Sequence, residues 1–519
     1  MGMNRKKILT GALTLTAAGV ITRILGFVYR IYMSNLMGAE GMGLYQLIMP
    51  VYTLAWSIAC AGFNTTVSKL TAQERAKGEY GNMEQMLKQS VQITLALGVL
   101  LSVGMIFSAE FIAIHFFGDI RTHMPLMILS WAFPFMAAGT CIRGYFIGLQ
   151  EAKIPAANQV LEQVVRMIVI YFIAAQFVPR GLEYAAAAAI IAIVAEEAFS
   201  CLFVYIAYHL HKKKRRLTLG AIAKLPTLSP AQSLTLIMGM ALPLTGNRVA
   251  GSLLTAWENV LIPGRLQMYG LSAADAISEF GRIQGMAIPL IFFPTAVLTA
   301  LSVTLVPAVS EAAAAKDMRG ISAVASKALL FASVIGMGAA SLFLFFAHEL
   351  GMAIYNQQIG LMLQLLGIMC PFIYMQIVLS GVLNGLGCQM FIFRNSLLSS
   401  GICIVFIILF VPQFGLAAYI FGWLFSLVVV IALGLYKIRQ FMPLQLEFGK
   451  WFVRPLIAAA AAGLVARLLA NRFFMEIAGL RIGLLPTISV FALIYFTGVL
   501  LSGIISRAEI QRLFTKKSV

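Results

Sequence analysis

Fourteen stretches of roughly 20 or more mainly apolar residues, separated by short gaps, constrain this 519-residue chain more than any other feature. They lie at 8–36, 44–70, 88–117, 123–149, 157–178, 183–210, 233–262, 280–309, 322–347, 360–387, 394–412, 415–438, 453–470 and 482–503. About 20 apolar residues in a helix cross the hydrocarbon core of a bilayer. Lipid offers no partner to an exposed peptide group, so such runs are helices. Gaps such as "PQFG" at 412–415 leave no room for a folded domain between them. Composition agrees: 60% of residues are hydrophobic and only 11% charged, where soluble domains carry about 25%. The expected fold class is an all-α polytopic membrane protein of about 14 transmembrane helices. The start "MGMNRKKILTGALTLTAAG" has the basic and apolar parts of a signal peptide, but no A-x-A site follows. It reads as an uncleaved first span. The six cysteines show no metal-ligand spacing and are expected as free thiols.

Charge placement orients the chain. With the N-terminus inside, the cytoplasmic segments hold 26 of the 38 Lys and Arg residues and the outer segments six, Arg121, Arg180, Arg265, Arg467, Arg472 and Arg481. This bias is the positive-inside pattern. It predicts a multi-pass protein of the cell membrane with both termini cytoplasmic. The run "HLHKKKRRL" at 209–217 fits a cytoplasmic loop that fixes topology and touches anionic lipid headgroups. With no soluble domain or aromatic platform around it, nucleic-acid binding is not expected.

The halves of the chain resemble each other. At a shift of 239, Pro50 meets Pro289, Thr65 meets Thr304, Val67 meets Val306 and Lys77 meets Lys316. At a shift of 237, Pro134 meets Pro371, Gly144 meets Gly381, Gly148 meets Gly385 and Asn158 meets Asn395. Six spans per repeat return the chain to the same side, so the repeats are parallel. The expected organisation is an N-terminal six-helix lobe at 1–215, a C-terminal six-helix lobe at 216–445, and two peripheral helices with a basic tail at 446–519. A central cavity between the lobes follows from that arrangement.

The remaining six basic residues fall inside spans: Arg23, Arg30, Arg143, Arg166, Arg248 and Arg282. On the first helix Gly19, Arg23, Gly26, Arg30 and Ser34 are spaced to share one face. Span 7 has a comparable face in Arg248, Ser252, Thr255 and Asn259, and Arg282 opens span 8 within "EFGRIQGMAIP". A guanidinium stays ionised and binds phosphate through two parallel hydrogen bonds. Arg23, Arg30, Arg248 and Arg282 are therefore candidate ligands of an anionic, pyrophosphate-bearing substrate. Snorkelling of Arg30 and pairing of Arg23 with an acid is the other reading. Glu162 and Arg166, four apart, fit an intrahelical pair. Arg143 sits where it can reach the interface. Glu196 and Glu197 lie mid-span and point about 100° apart, so one of them is expected to face the cavity; ion coupling (proton or sodium) and ion pairing with an arginine both stay open. No nucleophile, paired-carboxylate or metal constellation is present, so an enzyme is not expected.

The early "TRILGFVYR", the segment "CIRGYFIGLQEAKIPAANQ" and its fainter echo "LSGVLNGLGCQMFIFRN" resemble the polysaccharide transporter branch of the multidrug/oligosaccharidyl-lipid/polysaccharide (MOP) exporter superfamily. The resemblance runs along essentially the whole chain and is nearest to the stage V sporulation protein B family, which is related to the lipid II flippases. It implies a flippase for undecaprenyl-pyrophosphate-linked peptidoglycan precursor, working by alternating access in spore cortex synthesis. It also implies a groove for the lipid tail beside spans 13 and 14. The flippases' first-helix pattern "RxLGFxR" carries over to Arg23; Tyr29 stands at its second arginine, with Arg30 next to it. Arg282 in "GRIQGMAIP" matches their eighth-helix basic residue, while "MPVYTLAWSIACAGF" lacks their second-helix basic residues. The expected partners are a polyprenyl-pyrophosphate-linked glycan, membrane lipids and a cell-wall synthase. No cofactor is expected beyond coupling to protons, sodium or the membrane potential. A multidrug or cation exporter of the same superfamily and a non-transporting synthase scaffold are the alternatives.

Overall fold

The computed structural model describes residues 5–219, 227–441, 449–470 and 475–503, and every regular element in them is helical. The chain divides into two compact units, Met1–Gln267 with Leu271–Gly281, and Met268–Gly270 with Arg282–Val519. The first contains α1 (Arg5–Trp56), α2 (Gly62–Lys77), α3 (Tyr80–Phe111), α4 (His123–Ser130), α5 (Ala132–Gly148), α6 (Lys153–Phe177), α7 (Leu182–Leu219), α8 (Pro230–Met268) and α9 (Ala273–Phe280). The second contains α10 (Ile288–Phe292), α11 (Thr295–Ala314), α12 (Met318–Tyr355), α13 (Gly360–Gly385), α14 (Gln389–Leu409), α15 (Val411–Phe414), α16 (Leu416–Arg439), α17 (Arg454–Leu469) and α18 (Met475–Leu501).

Packing places the division later than the sequence repeat does. The segment leading into α8 is held to α3 by Asn82, whose side-chain oxygen accepts from the backbone N–H groups of Thr227 (2.8 Å) and Leu228 (3.1 Å). Further along, a Cβ at Gly62 would lie 2.3 Å from the Ala241 carbonyl oxygen, so α2 and α8 touch backbone to backbone. Gly43 brings α1 equally close to the Ile277 carbonyl of α9. These approaches tie α8 and α9 to the N-terminal helices.

Among the described residues, 11 helices are long and apolar enough to cross a membrane, or 12 if the bent pair Ile120–Ser130 and Ala132–Gly148 is one span. The figure differs from fourteen for physical reasons. Spans 1 and 2 of the sequence reading merge into one helical path, Thr14–Lys77, broken at Gly38, which adopts φ 67° and ψ −168°. Only glycine accepts that conformation without strain. Helix α8 is not among the 11; Asn247, Arg248, Glu258 and Asn259 dilute its apolar character.

The duplication reappears as packing. In the first unit a Cβ at Gly98 of α3 would lie 3.0 Å from Pro134 Cα of α5. In the second, Gly336 of α12 stands 2.5 Å from Pro371 Cα of α13 by the same measure. Gly144 and Gly148 of α5 abut the carbonyls of Asn64 and Ser68 of α2, and Gly381 and Gly385 of α13 abut those of Ser302 and Val306 of α11. Small residues at these crossings let helix backbones approach closely, which is how helices associate where lipid removes the hydrophobic drive. Gly144→Leu and Gly381→Leu are each expected to destabilise the protein by about 1–3 kcal/mol or more through overpacking. Leucine at the exposed Gly104, with no neighbour within 4 Å, should be tolerated; thermal unfolding in detergent measures all three.

Candidate functional site

The first unit holds a cluster of charged and polar side chains on α1, α5, α6 and α7. Helical spacing creates it. Asn158, Glu162 and Arg166 recur every four residues on α6, Glu196 and Ser200 do so on α7, and Thr140 and Arg143 are three apart on α5. Each stripe faces the others across the helix interfaces.

Two ion pairs form its centre. Arg143 pairs with Glu162 and also donates to Ser200 Oγ (3.1 Å) and Thr140 Oγ1 (2.9 Å). Glu162 further accepts from Asn158 Nδ2 (2.8 Å) and Ser200 Oγ (2.6 Å). Arg166 grips both carboxylate oxygens of Glu196 through Nε and Nη2, the fork geometry that makes arginine–carboxylate pairs strong. The ring of Tyr29 lies 5.7 Å from the Arg166 guanidinium carbon, within cation–π reach. Glu197 accepts from Tyr52 Oη at 2.5 Å.

This geometry corrects three expectations. Glu162 and Arg166 do not pair within their helix; each finds an opposite charge on another helix, because the α6 stripe is turned toward its neighbours. Arg143 does not run to the interface, since Glu162 holds it inside. Glu196 and Glu197 are both buried, and their divergent directions carry them to different partners, Arg166 of α6 and Tyr52 of α1.

The four arginines assigned to substrate are dispersed over the helices. Arg23 is exposed, and Arg30, two turns further along α1, is half-buried. Their shared face does not stay open. Gly26 faces Gln163 of α6, and Ser34 is buried. Arg248 is exposed on α8, and its stripe is partly satisfied locally. Ser252 meets Ser57 Oγ at 2.6 Å, and Asn259 donates to the Thr255 carbonyl. Arg282, half-buried, falls in the second unit on a π-helical turn, Gly281–Ala287; such turns recur at functional positions. Among the described residues, the second unit has no copy of the charged cluster. Glu162 and Arg166 map at the repeat shift of 237 onto Ser399 and Cys403, which share Ser426 as a hydrogen-bond partner. An apolar groove of about 700 Å³ in this unit is lined by Leu365, Phe406, Phe410, Phe414 and Phe421. That groove lies on α13–α16.

The many long apolar helices define a multi-pass membrane protein, and its fold is that of solved transporters and flippases. A solved structure of lipid II flippase MurJ in an inward closed conformation matches with TM-score 0.71 at 12% identity, over 96% of this chain and 100% of that one. An inward-facing MATE family multidrug resistance transporter of the MOP superfamily matches with TM-score 0.65 at 15% identity, over 83% and 97%. The chain belongs to the polysaccharide biosynthesis protein family, whose model matches residues 8–313. Stage V sporulation protein B of Bacillus subtilis (strain 168) is 28% identical over 518 residues, 98% of each chain. Lipid II flippase MurJ of the same organism is 28% identical over 339 residues, 59% of this chain and 58% of its own.

Sequence reasoning named both glutamates but missed Tyr52, Asn158 and Ser200. The four-residue polar stripes of α6 and α7 were the available signal. Glu162→Ala is expected to destabilise the protein by about 3 kcal/mol, because it leaves Arg143 uncompensated in a low-dielectric setting. Replacing the pair together, Arg143→Met with Glu162→Leu, should recover most of that loss. Thermal unfolding of the single and double variants checks both outcomes.

Proposed function

We propose that the protein is a flippase for a polyprenyl-pyrophosphate-linked glycan, with undecaprenyl-linked peptidoglycan precursor as its substrate and spore cortex synthesis as its setting. The pyrophosphate is bound by guanidinium groups at Arg23, Arg30, Arg248 and Arg282, and translocation follows alternating access in the cell membrane. Both termini lie in the cytoplasm, and proton, sodium or membrane-potential coupling resets the cycle. A cell-wall synthase supplies or consumes the cargo. The names of the relatives support this reading, as do the basic residues concentrated in one set of loops.

One observation carries the choice of an anionic cargo. Arg23 and Arg248 are exposed in the midst of apolar helices, whereas Glu196 and Glu197 are buried and already engaged by Arg166 and Tyr52. An exporter of cations needs the opposite, carboxylates free to meet the cargo. The apolar groove on α13–α16 has the lining that a prenyl chain takes. A charge-assisted hydrogen bond contributes about 1.5–3 kcal/mol, so losing one arginine ligand lowers flipping roughly tenfold or more. Liposomes carrying the full chain and a fluorescent lipid-linked precursor measure it. Arg23→Ala and Arg282→Ala should each slow translocation to that extent. Unchanged rates in both would remove the arginines from the mechanism, and efflux of cationic dyes dependent on Glu196 would favour the exporter.

A further inference from the structure

The cluster in the first unit is not charge-balanced. Glu162, Glu196 and Glu197 face two guanidinium groups, Arg143 and Arg166. Arg143 goes to Glu162 and both hydrogen-bonding edges of Glu196 go to Arg166. Glu197 is left with a neutral partner, the Tyr52 hydroxyl, and makes no ion pair among the described residues. It is 5% exposed and lies fifteen residues into α7, roughly 22 Å along the helix axis. A carboxylate at such depth costs about 2.5–3.5 kcal/mol even on lenient scales, and a proton removes that cost.

We propose that Glu197 is the proton-binding carboxyl group of the N-terminal unit, and that its deprotonation draws Arg143 away from Glu162. With the proton on, Glu197 is neutral and the two arginines are matched by two carboxylates. On release, the O–H bond breaks, the electron pair stays on the carboxylate and the proton passes to water. The new charge then competes for Arg143, the one guanidinium whose carboxylate partner is also served by neutral donors, Asn158 and Ser200. Every element packed here contributes to the balance. Tyr29 and Tyr52 come from α1 and Cys60 from the π-helical turn after it. Arg143 and Cys141 come from α5, Glu162 and Arg166 from α6, and Glu196 and Cys201 from α7. The same stripe in the second unit, Asn395, Ser399 and Cys403, is uncharged.

This proposal deepens the coupling part of the flippase reading, yet its test needs no cargo. Infrared difference spectra of the full chain in lipid nanodiscs, taken from about pH 5 to about pH 9, report protonated carboxyl groups directly. Wild type should show a buried carboxyl C=O band that fades as pH rises. Glu197→Gln should lose the band entirely, and Glu151→Gln, altered at a half-exposed site, should keep it. Tyr52→Phe should keep the band but move it to higher frequency, since the carbonyl loses its hydrogen bond; this variant leaves the charges untouched. Persistence of the band in Glu197→Gln, its absence from wild type, or its removal by sodium at constant pH would overturn the assignment. Flipping assays on the same samples read the cargo separately, so failure of one reading does not carry the other with it.

Discussion

Neutralisation of charge inside the first unit is the constraint on which the rest depends. Glu162 and Glu196 lie among apolar helices where an isolated carboxylate is costly, and Arg143 and Arg166 meet them from neighbouring helices. These contacts fix how α5, α6 and α7 sit against one another, because a buried pair loses far more when broken than it gains when formed. They also decide what the unit offers to a ligand. With Glu162, Glu196 and Glu197 engaged internally, Arg23 of α1 and Arg248 of α8 stay exposed.

The two units share a packing plan and differ in chemistry. Gly98 with Pro134 and Gly336 with Pro371 are the same crossing built twice, as are the glycine pairs of α5 and α13. The crossings depend on backbone proximity and tolerate little change, so they persist through the duplication. Polar positions are freer. At the positions of Glu162 and Arg166 the second unit has Ser399 and Cys403, held by a hydroxyl network. One repeat thus keeps the ionisable cluster and the other keeps only its scaffold.

The helical class and the duplication were legible because they rest on periodicity, hydropathy and the fixed spacing of Pro and Gly. Span boundaries were less so. Gly38 breaks α1 through a backbone conformation that composition does not announce, and the mixed polarity of α8 blurs its length. The pairing of charges was the least legible. Glu162 and Arg166 satisfy the intrahelical rule, yet each points across an interface, and only the neighbouring helices decide between the two. Tyr52 lies in an apolar run that gives no hint of Glu197 more than a hundred residues away. The arginine stripe of α1 shares one helical face by its spacing, and Gly26 and Ser34 turn part of that face toward protein, which spacing alone does not reveal.

The central claim is that the accessible intramembrane charge is cationic and selects a lipid pyrophosphate. Native mass spectrometry of the full chain tests it most directly, with undecaprenyl pyrophosphate and a lipophilic cation of similar size offered together. The account predicts that the pyrophosphate lipid stays bound and the cation does not. Retention of the cation in preference to the pyrophosphate would contradict it.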